Sequence, residues 1–226
     1  MRLVLLILIL FLVGCAQSPN LSKEENKKRI AEAQTQSVLK ALQEKPAWLF
    51  TGDVCPSEVM PEAETEVKFL AEGCAGNPDE CLNKCRADDG NACYALALLV
   101  EEKHGSGKQE TPPLYLRSCK LGVVSGCTNY AASKTNFDSM DAATTACVAN
   151  SFEKTCGRND AWGCNMYGQL LYLGLGRKQD TNKALETFQK ACNVTDAEDA
   201  ACVEARELEQ LVRNDLNNSS TNANMP

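Results

Sequence analysis

The chain has little of two things that many functional sites need, namely histidine and an excess of positive charge. His104 is the single histidine among 226 residues. This excludes a site built from two imidazoles and leaves little room for Ser/His/Asp or Cys/His catalysis. The 23 lysine and arginine residues against 30 aspartate and glutamate residues give a net charge of −7. Without a basic stripe, we expect no nucleic-acid partner.

Several short motifs are also missing. The sequence contains no Cys-x-x-Cys pair, which argues against a zinc site, a thioredoxin-type redox motif and c-type haem attachment. It contains neither a glycine-rich phosphate loop nor a nucleophile elbow. We therefore expect no cofactor, no metal and no catalytic residue. What the chain does have is 44% hydrophobic residues, enough for a buried core, and 13 cysteines.

The first residues have the pattern of an export signal. Arg2 is followed by an apolar run over residues 3–13 and then by Gly14 and Cys15. The segment Leu12-Val13-Gly14-Cys15 resembles the lipobox of bacterial lipoproteins, which implies cleavage before Cys15 and acylation of its thiol. Ala16 after the cysteine implies sorting to the outer membrane in that family. We expect a periplasm-facing lipoprotein held by its lipid alone, and the alternative is a plain secretory signal.

Removal of Cys15 as the lipidation site leaves twelve cysteines, an even number in an oxidising compartment, which favours disulfides. Three pairs are eight residues apart and one is ten apart: Cys85 and Cys93, Cys119 and Cys127, Cys156 and Cys164, Cys192 and Cys202. Eight residues of continuous helix span about 12 Å, whereas a disulfide needs Cα atoms within about 4.4–6.8 Å. If these pairs bond, a helix ends at each first cysteine and another begins near the second.

Four cysteines remain outside this spacing. Cys74 and Cys81 would join a shortened first helix pair. Cys55 and Cys147 would then tie the N-terminal segment across the rest of the chain, a pairing that rests on elimination alone.

The sequence around the cysteines repeats as well. An aromatic-x-basic-small-Cys motif occupies residues 115–119, 152–156 and 188–192, and a Cys-x-x-large-small motif begins at Cys93, Cys127 and Cys164. The first cysteines recur every 34 to 37 residues. A period near 35 residues with one helix pair per unit is typical of an α-solenoid.

The best copy of the repeat runs from Trp162-Gly163-Cys164 through Tyr167-Gly168, Gly174-Leu175-Gly176 and Lys183-Ala184 to Cys192. It resembles the Sel-one-like repeat family, relatives of the tetratricopeptide repeats, and in particular its cysteine-rich bacterial members. The resemblance covers roughly residues 62–212. It implies an all-α protein, an α/α superhelical solenoid of helix pairs stapled by disulfides.

The chain divides accordingly into a signal peptide (1–14), a lipid-anchored stalk and linker (15–60), a solenoid (61–216) and a disordered tail (217–226). Ser22 and Glu25 form a predicted capping box for a charged helix to about Lys45, which is either a stalk or a loosely docked helix. We expect a helix from Pro61 to about Cys74, another from Pro78, and pairs over 92–120, 126–157 and 162–193. A closing helix is predicted over 198–216.

Solenoids use their curved surface to hold other proteins. We therefore expect an adaptor or inhibitor that binds a protein of the cell envelope. The resemblance also implies an alternative, since related envelope proteins include immunity proteins against phospholipase toxins. Three aromatic residues are candidate partner contacts, with core packing as the alternative for each: Tyr94, Trp162 and Tyr172.

An enzyme is the remaining alternative, because some cysteine-rich relatives are described as penicillin-binding, weak β-lactamases. Two Ser-x-x-Lys copies are present, at residues 37–40 and 151–154, but Ser-Asp-Asn and Lys-Thr-Gly are absent. Lys154 also belongs to the repeat motif. We therefore expect no catalysis, and we expect His104 to be a solvated loop residue.

Overall fold

A computed structural model of the chain describes residues 22–49, 52–67, 72–104, 109–136 and 139–222. This part of the chain is all-α. Its eleven helices are α1 (Lys23–Gln43), α2 (Pro56–Val59), α3 (Glu72–Ala75), α4 (Pro78–Arg86), α5 (Gly90–His104), α6 (Thr111–Lys120), α7 (Val124–Ser133), α8 (Ala142–Gly157), α9 (Ala161–Leu173), α10 (Thr181–Asn193) and α11 (Ala200–Asn222).

Helices α4 to α11 each pack against the next helix in the chain, as in a helical solenoid. Helix α9 also contacts α7 and α11, and Tyr94 of α5 lies next to Ser125 and Asn129 of α7. The odd-numbered helices from α5 to α11 therefore form one layer, which we call the A layer. Helices α4, α6, α8 and α10 form the B layer. The predicted helix pairs are confirmed, and their ends agree with the structure to within two residues.

Six disulfides join the described cysteines, and they are the same six pairs that the sequence suggested. Four of them link the next-to-last residue of a B-layer helix to the first turn of the following A-layer helix. The Cα atoms of these four pairs lie 4.3–4.6 Å apart. So many disulfides suggest an oxidising, extracytoplasmic location.

Small residues let the helices of a pair approach closely. A Cβ atom on Gly168 would lie 2.5 Å from Phe188 Cε1, so the Phe188 ring occupies the space where a larger residue would stand. Gly126 faces Ser118 in the same way, and a Cβ on Gly163 would overlap Thr155 Oγ1. The Gly168 contact explains the small residue of the Cys-x-x-large-small motif, whereas Gly126 and Gly163 stand directly before their cysteines.

The basic residue of the repeat motif binds the end of the preceding B-layer helix. Lys190 Nζ donates to Cys156 O at 2.6 Å, and Arg117 Nε donates to Cys85 O at 3.0 Å. Arg117 also donates to Trp48 O and pairs with Asp88. A helix leaves its last carbonyl groups without intrahelical partners, so a cation at this point satisfies both the hydrogen bond and the dipole.

Residues 52–67 form a segment that crosses the solenoid, which we call the strap. Its helix α2 packs against α6, α7 and α8, and Cys55 is bonded to Cys147 of α8. Lys154 Nζ donates to Ser57 O at 2.9 Å instead of to the end of α6. The strap thus occupies the position that a carbonyl of the preceding B-layer helix holds elsewhere.

The prediction of a helix from Pro61 is wrong over residues 61–67. Thr65 N donates to Gly122 O at 2.9 Å, and Thr65 Oγ1 donates to Leu121 O at 2.9 Å. Asn91 Nδ2 donates to Glu66 O. The backbone of this segment is therefore satisfied by the α6–α7 turn and by α5, and the next helix that the structure describes is α3.

The stalk interpretation of α1 is wrong for its C-terminal half. The capping box of Ser22 and Glu25 is present as predicted, and the first half of the helix is exposed. The second half packs against α4 and buries four side chains: Thr35, Val38, Leu39 and Leu42. At the other end, α11 extends to Asn222, so residues 217–222 are helical where a tail was predicted.

The hydrophobic core has two parts that divide at α7. One contains buried residues from Val38 to Tyr130, and the other contains buried residues from Ala131 to Val212. A small third cluster lies between them, formed by Met60, Cys119 and Cys127 with Val59. The strap therefore fills the boundary between the two halves. Among the described residues, no helix combines the length and the hydrophobicity needed to cross a membrane.

Candidate functional site: the face of the A layer

Helix α9 carries an apolar stripe that its neighbours do not cover. Trp162, Met166, Gln169 and Leu173 follow one another at intervals of three or four residues and so share one face of the helix. Trp162 is 40% exposed and Leu173 is 52% exposed, while Met166 and Gln169 are half-buried. Because large apolar side chains are exposed at both ends of one row, we take this stripe as the candidate docking face.

The same register continues on the two neighbouring A-layer helices. Counted from the second cysteine of each bridge, the equivalent positions on α7 are polar or small: Ser125, Asn129 and Ala132. On α11 they are Ala200, Glu204, Glu207 and Leu211. We call these three stripes together the A-layer face. It changes from polar on α7 through apolar on α9 to mixed apolar and acidic on α11.

A shallow depression of about 670 Å³ runs along α11 at the edge of this face. Val203 and Leu211 line it and are 43% and 50% exposed. Glu198, Glu204 and Glu207 provide its carboxylates. The terminal helix of a solenoid usually presents a polar outer side, so two exposed apolar residues here extend the docking face beyond α9.

Asp160 fixes the N-terminal end of the face. As the N-cap of α9 it accepts a hydrogen bond from Gly163 N at 2.7 Å. Its two carboxylate oxygens also accept from Ser125 Oγ at 2.7 Å and from Thr128 Oγ1 at 2.9 Å. One carboxylate thus starts α9 and ties it to α7. This role of Asp160 was not predicted, although an Asp three residues before Gly163 is a recognisable capping signal.

Tyr94 is a core residue, so its predicted role as an exposed contact is wrong. Its ring is 8% exposed and lies 5.9 Å from the ring of Tyr115. Only its hydroxyl approaches the A-layer face, next to Ser125 and Asn129. Burial, helped by the nearby charge of Asp160, raises the pKa of Tyr94 to about 12.

Tyr115 is buried beside Tyr94 and connects α6 to α5. Its hydroxyl donates to Glu101 Oε2 at 2.5 Å. Burial and this carboxylate raise the pKa of Tyr115 well above its usual range. The two tyrosines therefore lie in the core beneath the polar, α7 side of the A-layer face.

Tyr172 lies beside the α9 stripe and holds α11 in place. Its hydroxyl donates to Asp215 of α11, and that hydrogen bond raises the pKa of Tyr172. Of the three aromatic candidates, Trp162 alone is exposed on the stripe itself. The side chains that join it there, Leu173 and Leu211, were not among the predicted contacts.

The Ser151-x-x-Lys154 copy has structural contacts. Ser151 is buried, and its hydroxyl donates to Cys147 O at 2.8 Å while accepting from Ser57 N. Lys154 binds Ser57 O. Both residues thus hold the strap on α8. The other copy, Ser37 and Lys40, lies exposed on α1.

A larger cleft of about 940 Å³ lies between the first half of α1 and α5. Its walls mix lysines with glutamates, and its one large apolar residue, Leu99, is buried. It offers no exposed apolar anchor. For this reason we take the A-layer face, and not this cleft, as the candidate site.

Two residues named in the sequence predictions lie outside or at the edge of the described residues. Cys15, the predicted lipidation residue, lies outside the described residues, and His104 is the last residue of α5. Within the described ranges, no group of three His, Cys, Asp or Glu side chains is placed to hold a metal ion. Comparisons with protein-family models, with curated proteins and with solved structures find no match to this chain.

Proposed function

We propose that this protein is a lipid-anchored protein-binding module of the bacterial envelope, and that it binds its partner on the A-layer face. The observation that carries the proposal is the pair of exposed anchors, Trp162 and Leu173, on one stripe of α9. Tryptophan is among the residues that contribute most at protein interfaces, especially when apolar neighbours exclude water around it.

The packing of α9 supports this use of the stripe. Its opposite side is buried against α8 and α10 and is pinned by the Cys156–Cys164 disulfide. Asp160 fixes its start, and Gly174 in a left-handed conformation ends it. A rigid helix loses little conformational entropy on binding, so its exposed side chains can give more of their contact energy to affinity.

The cellular location is proposed from two observations. Six disulfides favour an oxidising compartment, and the lipobox-like segment ending at Cys15 favours a lipoprotein. We infer an outer-membrane lipoprotein of the Sel-one-like repeat family that faces the periplasm. A Cys15→Ser variant should accumulate as the unprocessed precursor on this proposal, and normal cleavage would show simple secretion instead.

The binding proposal is tested by affinity capture from detergent-solubilised envelopes with the full-length oxidised protein as bait. The test variant is Trp162→Ala with Leu173→Ala. The matched control is Ile30→Ala. Ile30 is 52% exposed, as Leu173 is, but it lies on α1, which does not belong to the A layer.

We expect a stoichiometric partner to be retained by the wild type and by the Ile30 variant and to be lost by the double variant. The identity of that partner decides between an adaptor and an inhibitor. Equal retention by all three proteins, with unchanged circular dichroism, would place the binding surface elsewhere.

A further inference from the structure

The acidic side of the A-layer face indicates what kind of partner fits it. Glu204 and Glu207 lie on the α11 stripe, and Glu198 precedes the helix. No lysine or arginine occupies the described stripe positions of α7, α9 or α11. A ligand seated here therefore meets apolar side chains on α9 and carboxylates on α11.

The nearest arginines on α11 are engaged elsewhere. Arg206 Nη1 donates to Ala197 O at 3.1 Å, and Arg213 pairs with Glu209 through two hydrogen bonds. The carboxylates of Glu204 and Glu207 are thus not neutralised by these two cations. An approaching cation can pair with them at little cost in existing contacts.

The spacing of the apolar side chains matches a helix. From Trp162 to Leu173 the stripe extends eleven residues, or about 16 Å of helix axis. Helices α9 and α11 pack against each other. Adjacent packed helices lie about 8–10 Å apart, so α9 and α11 present their two stripes to a single bound helix.

We propose that the A-layer face binds a cationic amphipathic helix of a partner protein. The apolar side of that helix packs on Trp162, Leu173 and Leu211, and its lysine or arginine residues pair with Glu204 and Glu207. This inference rests on the proposed function and specifies the chemistry of the partner. It corresponds to the helix-in-groove mode of recognition, in which apolar anchors recur at helical spacing.

The test uses two synthetic peptides of about 14 residues with the same leucine positions. One carries lysine at the flanking positions, and the other carries glutamate there. Binding of each dye-labelled peptide to the full-length oxidised protein is measured by fluorescence anisotropy at low and moderate salt. The protein variants are Glu204→Gln with Glu207→Gln, and a control, Glu186→Gln, at an exposed carboxylate of the B-layer helix α10.

We expect the lysine peptide to bind and the glutamate peptide not to bind. Removal of the two carboxylates should weaken binding of the lysine peptide roughly tenfold, because two exposed ion pairs together contribute on the order of one factor of ten. The control should bind as the wild type does, and added salt should reduce the difference between the variants.

Other outcomes overturn the inference in distinct ways. Equal binding of both peptides, lost only in the Trp162 and Leu173 variant, would keep the proposed docking face and reject a cationic partner. Binding of neither peptide would reject a helical ligand, while the envelope capture would still decide the proposed function. A concentration-dependent dimer that disappears in the Glu204 and Glu207 variant would place a second copy of this chain on the face instead.

Discussion

The middle of the solenoid and its two ends solve the same packing problem in different ways. Between α8 and α10, Lys190 reaches the carbonyl of Cys156 at the end of the neighbouring B-layer helix. Between α6 and α8, the equivalent Lys154 binds Ser57 of the strap. The repeat motif thus supplies a cation that binds whichever carbonyl group lies beside it. A segment outside the repeats, such as the strap, can therefore enter the solenoid and still have its own carbonyl group hydrogen-bonded.

The difference has an energetic consequence. The C-terminal half is held mainly by contacts among α8 to α11, which are close together in the chain. The N-terminal half also needs the second half of α1 and the loop at Trp48, which Arg117 binds. The strap joins the N-terminal half to α8 through the long-range disulfide Cys55–Cys147. Changes to the long-range contacts should therefore destabilise the N-terminal half more than matched changes destabilise the C-terminal half.

The largest expected difference concerns two disulfides. Cys55→Ala with Cys147→Ala opens a loop of 92 residues, and Cys192→Ala with Cys202→Ala opens one of ten. From loop-closure entropy we expect losses of about 4.6 and about 2.7 kcal/mol in the free energy of unfolding. Urea unfolding of both oxidised variants measures this. Equal losses would show that the strap adds no long-range constraint.

The second prediction concerns the N-terminal half, whose core contains Tyr94, and its loss of stability at alkaline pH. The pKa of Tyr94 is raised to about 12 in the folded protein, against about 10 in an unfolded chain. A raised pKa gives stability that is complete below the unfolded value and is lost as the pH rises through the folded value. We expect up to about 3 kcal/mol to be lost between about pH 10 and 12.

Urea unfolding of the wild type and of Tyr94→Phe across that pH range measures the effect. The phenylalanine variant has no hydroxyl to titrate, so its stability should decrease less steeply. The same pH dependence in both proteins would assign the loss to other groups.

The basic residues of the two halves should respond differently to exchange. Arg117→Lys loses the branched guanidinium that binds Cys85 O, Trp48 O and Asp88 together, and we expect a cost of about 2 kcal/mol. Lys190→Arg keeps a cation near its single acceptor, Cys156 O, and should change stability by less than about 0.5 kcal/mol. Thermal unfolding compares the two, and a larger loss for Lys190→Arg would reverse the comparison.

The smallest effect should be alike in both halves. Gly163→Ala forces Thr155 to move, at a cost that exceeds the gain in helix propensity by roughly 1 kcal/mol. Gly126→Ala against Ser118 should behave in the same way. Gly157→Ala is the control, because no atom lies within 4 Å of its added Cβ. Thr155→Ala combined with Gly163→Ala should recover part of the loss, because it removes Thr155 Oγ1 but leaves Thr155 Cβ 2.9 Å from the added Cβ. No recovery at all would reject the steric explanation.

Much of the fold could be predicted because the cysteine spacings relate residues that are close together in the sequence. A spacing of eight residues cannot be bridged along a continuous helix, so the pairs predicted both the disulfides and the helix ends. Asp141, Asp160 and Asp180 then start α8, α9 and α10 as N-caps. Each of these signals lies within about ten residues of the feature it predicts.

The strap could not be predicted because its structure depends on distant residues. Pro61 followed by Glu62 and Glu64 is a good helix start by local rules, but Thr65 finds its hydrogen-bond acceptors in Leu121 and Gly122. The candidate site shows the same limit. Trp162 was identified from its residue type, whereas Tyr94 is buried by packing against Tyr115 that no local pattern contains.

The order of the disulfides along the chain has a consequence for biogenesis. Apart from the pair formed by Cys55 and Cys147, every described bridge joins two cysteines with no other cysteine between them. An oxidase that joined cysteines strictly in the order in which they left a translocation pore would pair Cys55 with Cys74 and so shift every pairing before Cys156. Only Cys156–Cys164 and Cys192–Cys202 would then be native. We therefore expect native pairing to require that Cys55 stays reduced, or that its first bridge is exchanged, until Cys147 of α8 has emerged.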